Sequence, residues 1–169
     1  MKHAPNKAII GALITGVCTF ILCIPFFVLL TKGEMPLSAI AADMGPGNFI
    51  TPFICSLIQI PLKKKSTLKG KEIIIPDVAD QASYLFMPKN NKVAFCAVNA
   101  LVTAVVFTCG AVGLCAIINP AMVFSKWGYI IFKSAVAGVG VTYAIYHVGI
   151  MLPYITRQKA IEDGTWKFD

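Results

Sequence analysis

The amino-acid sequence predicts an all-α, polytopic membrane protein with four transmembrane helices, arranged as two similar hairpins. Two properties of the composition lead to this class. Of the 169 residues, 57% are hydrophobic and only 14% are charged, whereas soluble domains carry roughly 25% charged residues. The mean hydropathy is +0.73. A soluble fold of this composition would lack the polar side chains to cover its surface, so we expect a multi-pass protein of the cell (inner or plasma) membrane.

The first transmembrane helix is predicted at about residues 9–30. Its basic start, with Lys2 and Lys7, resembles that of a secretory signal peptide. The apolar run is longer than the roughly 7–15 residues of a signal h-region, however, and no small-residue cleavage motif closes it. We therefore expect a retained membrane helix, for which about 20 apolar residues are enough.

Three further apolar runs predict the remaining helices. The runs at 93–118 and 129–154 are each long enough to span a bilayer. The run at 49–62 is short, so we expect that helix to begin near Met44. The three lysines at 63–65 can snorkel to the interface and lengthen the span at its other end.

The loop at 34–47 lies between the first two predicted helices. Pro36 is suited to begin a short surface helix at 37–42. We expect this helix to end at Asp43 and a turn to follow at Gly-Pro-Gly 45–47. The alternative is a re-entrant pore loop. Its non-helical backbone would have to be covered by protein or line a water-filled cavity.

The distribution of basic residues predicts the orientation. Twelve of the 15 Lys and Arg residues lie before the first span, between the second and third spans, or after the fourth. Because cytoplasmic loops carry an excess of Lys and Arg, both termini and the middle segment are predicted to be cytoplasmic. The net charge of +7 is therefore assigned to topology, and no nucleic-acid partner is expected.

The spans and loops divide the chain into four parts. We expect a first hairpin at 1–65, a cytoplasmic linker at 66–90, a second hairpin at 91–157 and a cytoplasmic tail at 158–169. Lysines beside a membrane attract anionic lipid at about 1 kcal/mol each. Anionic lipid is therefore an expected partner of Lys63, Lys64 and Lys65, with topology alone as the simpler explanation.

Landmarks recur in order in the two predicted hairpins. Asn6-Lys7 and Asn91-Lys92 precede the first helix of each, and Pro61 and Pro153 come shortly before the basic residues that close each. Because each hairpin has two helices, both hairpins have the same orientation in the membrane. A duplication would therefore relate the two hairpins by a pseudo-two-fold axis along the membrane normal, as in parallel transporter repeats. The alternative is coincidence between two hairpins that are both flanked by basic residues.

The segments "FITPFICSLIQIPLKKK" and "AIYHVGIMLPYITRQ" carry a resemblance to a known family. Each resembles the second helix of an uncharacterised family of small bacterial membrane proteins, which are single two-helix hairpins with a domain of unknown function. The chain resembles a tandem copy of this hairpin over about three quarters of its length. The resemblance implies a fold and no chemistry.

Polar residues within the predicted spans are the candidates for a binding site. His147 is an ionisable residue inside a membrane helix, which is a functional hypothesis by default. Tyr143 lies on the same helix face, four residues earlier, and Tyr146 adjoins it. Asn99 and Thr103 are polar residues of the third helix. All five are candidate binding residues: a Tyr-His pair could bind a polar ligand, a metal or haem, or relay a proton, and the alternative is that these groups only pack and hydrogen-bond between helices.

The remaining ionisable and thiol groups are assigned structural roles. Lys133, near the outer end of the fourth helix, is expected to snorkel outward as an anchor. No carboxylate falls within a predicted span, which counts against ion-coupled transport. The six cysteines lie in apolar runs without a CxxC motif and are expected to behave as small hydrophobic residues.

Two function classes follow from these residues. We expect no enzyme activity, no cofactor and no metal site, because the sequence lacks HExxH, phosphate-loop and catalytic-triad patterns. The first class is a small channel or transporter built by homo-oligomerisation, since four helices rarely enclose a pore alone. The alternative is a structural or accessory subunit that packs against other membrane subunits. A duplicated hairpin favours the first.

Overall fold

A computed structural model describes the chain at residues 5–31, 34–69, 91–118 and 123–165. Within these residues, the order of elements is α1 Pro5–Leu30, β1 Met35–Pro36, α2 Leu37–Thr67, α3 Lys92–Ile118, β2 Val123–Phe124 and α4 Lys126–Glu162. The all-α class is confirmed for this part of the chain. Three of the four helices, α1, α3 and α4, are long and apolar enough to cross a membrane. Of the predicted linker at 66–90, residues 66 and 67 belong to α2, and residues 70–90 lie outside the described residues.

Helices α1, α3 and α4 cover the three long apolar runs of the sequence. The first and third predicted spans agree with α1 and α3 to within a few residues. Helix α4 continues past the predicted end at residue 154 to Glu162, so that Arg157 and Lys159 are helical. At its start, the Ser125 hydroxyl accepts a hydrogen bond from the amide of Gly128 at 3.2 Å, which is an ordinary helix N-cap.

Helix α2 is continuous, and the turn predicted at 45–47 is wrong. Pro36 precedes the helix with extended backbone angles of φ −71° and ψ 151°, as predicted for a helix that begins at Leu37. The helix then continues through Pro46, although a proline removes one intrahelical hydrogen bond. Ile40 and Met44 are both fully buried beside Ala111 and Tyr129, and this burial outweighs the low helix propensity of the Gly-Pro-Gly sequence.

The helices do not fold as two separate hairpins. Helix α1 packs mainly against α4, and α2 packs against both α3 and α4. The first helix of each predicted hairpin therefore lies against the second helix of the other. Strands β1 and β2 pair in antiparallel register, with Met35 opposite Phe124 and Pro36 opposite Val123, and so connect the two halves at one end of the bundle.

The close contact between α1 and α4 depends on two glycines. A Cβ atom added to Gly138 would lie 2.9 Å from the carbonyl oxygen of Gly16 and 3.2 Å from the Phe20 Cβ. Helices in membranes associate through such small residues, which allow their backbones to approach. The sequence does not reveal this pairing, because glycines also occur on the other helix faces.

Candidate functional site

The structure brings His147 and Asn99 into direct contact between α3 and α4. His147 Nδ1 lies 3.1 Å from Asn99 Oδ1, and Asn99 Nδ2 donates to the Ala144 carbonyl oxygen at 3.1 Å. With its proton on Nδ1, the imidazole donates to the amide oxygen, so the Asn99 side chain joins the His147 ring to the backbone of α4. Both residues are buried, with His147 only 8% exposed.

Two aromatic rings lie close to the His147 imidazole and nearly parallel to it. The Tyr143 ring is nearly parallel to it, at 4° and a centroid distance of 6.2 Å. The Phe95 ring is also nearly parallel to it, at 10° and a centroid distance of 6.3 Å. Tyr143 in turn contacts Phe107 and is itself exposed on the bundle surface. The imidazole is thus fixed in orientation by one hydrogen bond and two ring contacts.

The other two predicted site residues take different positions. The Thr103 hydroxyl donates to the Asn99 carbonyl oxygen of its own helix at 2.8 Å, which satisfies it without reference to His147. Tyr146 packs against the apolar cluster that contains Val141 and Ile145. Of the five predicted residues, the structure thus brings His147 and Asn99 together through a hydrogen bond and Tyr143 to His147 through a ring contact.

A second polar cluster, which the sequence analysis missed, joins α2 to α4 nearer the β1–β2 end. Lys133 Nζ lies 2.5 Å from Asp43 Oδ2, and the Tyr129 hydroxyl donates to the same oxygen. The Lys133 ammonium also sits 4.4 Å from the centroid of the Phe27 ring, a distance at which cation–π attraction operates. Asp43, Tyr129, Lys133 and Phe27 thus unite three helices.

The predicted outward snorkelling of Lys133 is wrong, because the residue is only 6% exposed. Its ammonium stays buried because Asp43, expected in a loop, lies in α2 and faces it. The sequence held a usable signal for this pair. The second and fourth of four successive membrane helices are expected to run in the same direction, and Asp43 and Lys133 stand at nearly the same distance from the starts of α2 and α4.

A third buried contact joins α2 to α3. Asn48 Nδ2 donates to the Thr108 hydroxyl oxygen at 2.9 Å, and both side chains are buried. Each of the three pairings among α2, α3 and α4 therefore contains at least one hydrogen bond from a buried or half-buried polar side chain. Within the described part of the chain, no group of three or more His, Cys, Asp or Glu side chains is placed to hold a metal ion.

No protein-family model, curated protein or solved structure matches the chain. The resemblance to the bacterial two-helix-hairpin family therefore stays a prediction. The class that the structure defines is a helical protein with three helices able to cross a membrane by length and composition. Its candidate site comprises the two polar clusters that α4 shares with α2 and α3.

Proposed function

We propose that this chain is a multi-pass protein of the cell membrane that assembles from several copies into a small channel or transporter. One observation carries the proposal: α4, the helix that the others surround, holds two buried ionisable residues. Lys133 is 6% exposed and His147 is 8% exposed. Ionisable groups inside a membrane are energetically unfavourable, and where they occur they usually mark pathways for ions, protons or polar solutes.

The positions of Lys133 and His147 along α4 support a pathway. Fourteen residues separate them, which corresponds to about 21 Å along the helix and to nearly the same face. The hydroxyls of Ser134, next to Lys133 in α4, and of Ser56 in α2 are buried without a hydrogen-bond partner. Buried, unpartnered hydroxyls are uncommon in folded proteins and are suited to a passing polar solute.

The packing of α4 supports assembly from several copies. Val141, Ala144 and Val148 are fully buried at its centre, so side chains fill the middle of a single chain. A solute would therefore reach Lys133 and His147 only when the helices of a chain move apart. Two apolar grooves, each lined in part by Ala135 and Val139, offer a face of small residues for a second copy.

The internal duplication and the orientation belong to the same proposal. The order helix, strand, helix occurs twice. A two-fold rotation that places each half on the other would superpose the α1–α4 contact on the α3–α2 contact. The antiparallel register of β1 and β2 is compatible with that axis. Helix α2, at 31 residues, would be about 46 Å long, which suffices to cross as a fourth span. The basic ends of α2 and α4 support cytoplasmic termini.

The accessory-subunit role is the second candidate, and the same apolar grooves favour it. A groove that accepts another copy would equally accept a helix of a different membrane protein. In the channel or transporter role, a second copy of this chain occupies the face with Ala135 and Val139; in the accessory role, a different membrane protein does. Neither requires catalysis, and we propose that the chain is not an enzyme.

Flux measurements on purified, reconstituted chain test the transport proposal. Proteoliposomes would be loaded with potassium chloride, and the efflux of potassium, chloride and protons followed with ion-selective dyes. We expect flux for at least one of these ions, with His147→Gln lowering it at least tenfold while folded yield is retained. Cys109→Ala, at an exposed position on the same bundle, is the matched control and should leave flux unchanged.

Two results would contradict the proposal. The first is wild-type protein, folded in the liposomes, that moves none of the three ions. The second is a chain that, after extraction with detergent, copurifies as a stoichiometric complex with a different membrane protein, which would support the accessory role.

A further inference from the structure

A basic cavity lies at the end of the bundle opposite the strands, where α2 and α4 end and α3 begins. Its volume is about 470 Å³, and its lining includes Lys64 of α2, Lys92 of α3 and Lys159 of α4, together with Thr156 and Asp163. Three different helices therefore each contribute one lysine. None of these residues belongs to the two polar clusters described above.

The cavity carries an excess of positive charge. Lys64 and Lys159 each lie within electrostatic range of Lys92. Asp163 is the one acidic residue in the lining, which leaves two positive charges unbalanced. Like charges that converge on one cavity repel one another, and an anion placed among them would relieve that repulsion.

Thr156 supplies an observation independent of the lysines. Its side chain is only 7% exposed, yet its hydroxyl oxygen has no hydrogen-bond partner. Five other helical threonines donate to the carbonyl oxygen four residues earlier; they are Thr15, Thr19, Thr67, Thr103 and Thr142. The Thr156 hydroxyl has no such bond, and Thr156 is one of the residues that line the cavity.

The start of α3 adds to the positive potential of the cavity. The amides of Val93 and Ala94 are already bonded to the Asn91 side chain, at 3.0 and 3.1 Å. They are therefore not free to bind a ligand directly, but the N-terminal end of the helix dipole still favours an anion. A purely structural explanation also exists for two of the lysines, since Lys64 and Lys159 lie in the last turns of their helices.

We propose that this cavity binds a phosphate-bearing anion, held by Lys64, Lys92 and Lys159 and by a hydrogen bond from the Thr156 hydroxyl. A phosphate group presents several acceptor oxygens in different directions, which suits ammonium donors arriving from three helices. The site is additional to the proposed pathway through α4 and does not depend on it. Its ligand is either the headgroup of an anionic phospholipid or a free phosphate compound.

Titration calorimetry of the full chain in a zwitterionic detergent tests the site and identifies the source of the phosphate. The two probes are dioctanoyl phosphatidylglycerol and sodium pyrophosphate, with dioctanoyl phosphatidylcholine as a lipid of no net charge. We expect at least one of the two anions to bind at one per chain. Phosphatidylglycerol alone would identify a lipid site, and pyrophosphate alone a site for a free phosphate compound.

Two variants separate this site from general charge attraction. Thr156→Val removes only the hydroxyl and keeps the side-chain shape, so it should fold normally and bind the probe about tenfold more weakly. Lys64→Gln with Lys159→Gln should weaken binding further. The matched control is Lys65→Gln with Lys69→Gln, which removes the same charge from exposed positions at the same end and should leave binding unchanged.

The proposal is overturned if neither anion binds the wild-type chain. It is also overturned if Thr156→Val binds as tightly as wild type, or if the control pair weakens binding as much as the cavity pair. In those cases the lysines would only stabilise the C-terminal ends of their helices and attract anionic lipid at the membrane surface.

Discussion

Replacing Gly16 by alanine tests the contact that holds α1 against α4. A Cβ atom at Gly16 would lie 2.7 Å from the Gly138 carbonyl oxygen and would overlap the Thr142 hydroxyl. The hydroxyl can rotate away, but it would then lose its 2.9 Å hydrogen bond to the Gly138 carbonyl. The carbonyl itself belongs to the helix backbone, so only a displacement of the whole helix can remove that clash.

The magnitude follows from these two contributions. Overpacking a close contact costs about 1–3 kcal/mol, and the lost hydroxyl bond about 1 kcal/mol. Alanine is a better helix former than glycine by about 1 kcal/mol, which offsets part of the loss. We therefore expect Gly16→Ala to lower the free energy of unfolding by about 1–3 kcal/mol.

Gly11→Ala is the matched control, because no atom lies within 4 Å of a Cβ built at Gly11 of the same helix. It should be neutral, or stabilising by up to about 1 kcal/mol. The assay is unfolding in mixed micelles, with the helical signal in circular dichroism followed as the fraction of sodium dodecyl sulfate rises. Equal stability of Gly16→Ala and Gly11→Ala would refute the close approach of α1 to α4.

The remaining predictions use the same unfolding assay. Asp43→Asn removes the charge partner of the buried Lys133 ammonium and should lower the free energy of unfolding by about 1–3 kcal/mol. Breaking a fully buried pair costs roughly 3–5 kcal/mol, and we expect less here because the Asp43 side chain is 40% exposed. Adding Lys133→Met should restore much of that loss; no recovery would contradict the pairing. Asn99→Ala leaves the His147 Nδ1 without its partner and should cost about 1–3 kcal/mol; a neutral result would contradict the geometry of that pair. Ser125→Ala removes the cap of α4 and should cost about 1 kcal/mol, and an unchanged stability would show that the cap contributes nothing.

Hydropathy predicts three of the four helices because their apolar runs are long and free of glycine-proline clusters. Helix α2 was harder to place, since Gly45, Pro46 and Gly47 signal a turn in an isolated segment. Their helical conformation comes from the burial of Ile40 and Met44 against other helices. Such a tertiary contact leaves no mark on local propensity.

The pairing of helices could not be predicted from chain order. Short connections suggest that neighbours in sequence pack together, yet α1 lies mainly against α4. That choice depends on the fit of Gly16 to Gly138, a property of two surfaces and not of either segment. The candidate site was predictable in part, because His147 and Asn99 are polar residues in apolar surroundings. Lys133 was misjudged because its burial depends on Asp43, 90 residues away in the chain.

The mass of the purified chain in a mild detergent, measured by native mass spectrometry, tests the proposed function most directly. Assembly into a channel or transporter predicts one defined homo-oligomer, with a protein mass that is a fixed multiple of 18.2 kDa. A single chain of 18.2 kDa, alone or bound one-to-one to a different membrane protein, would contradict it.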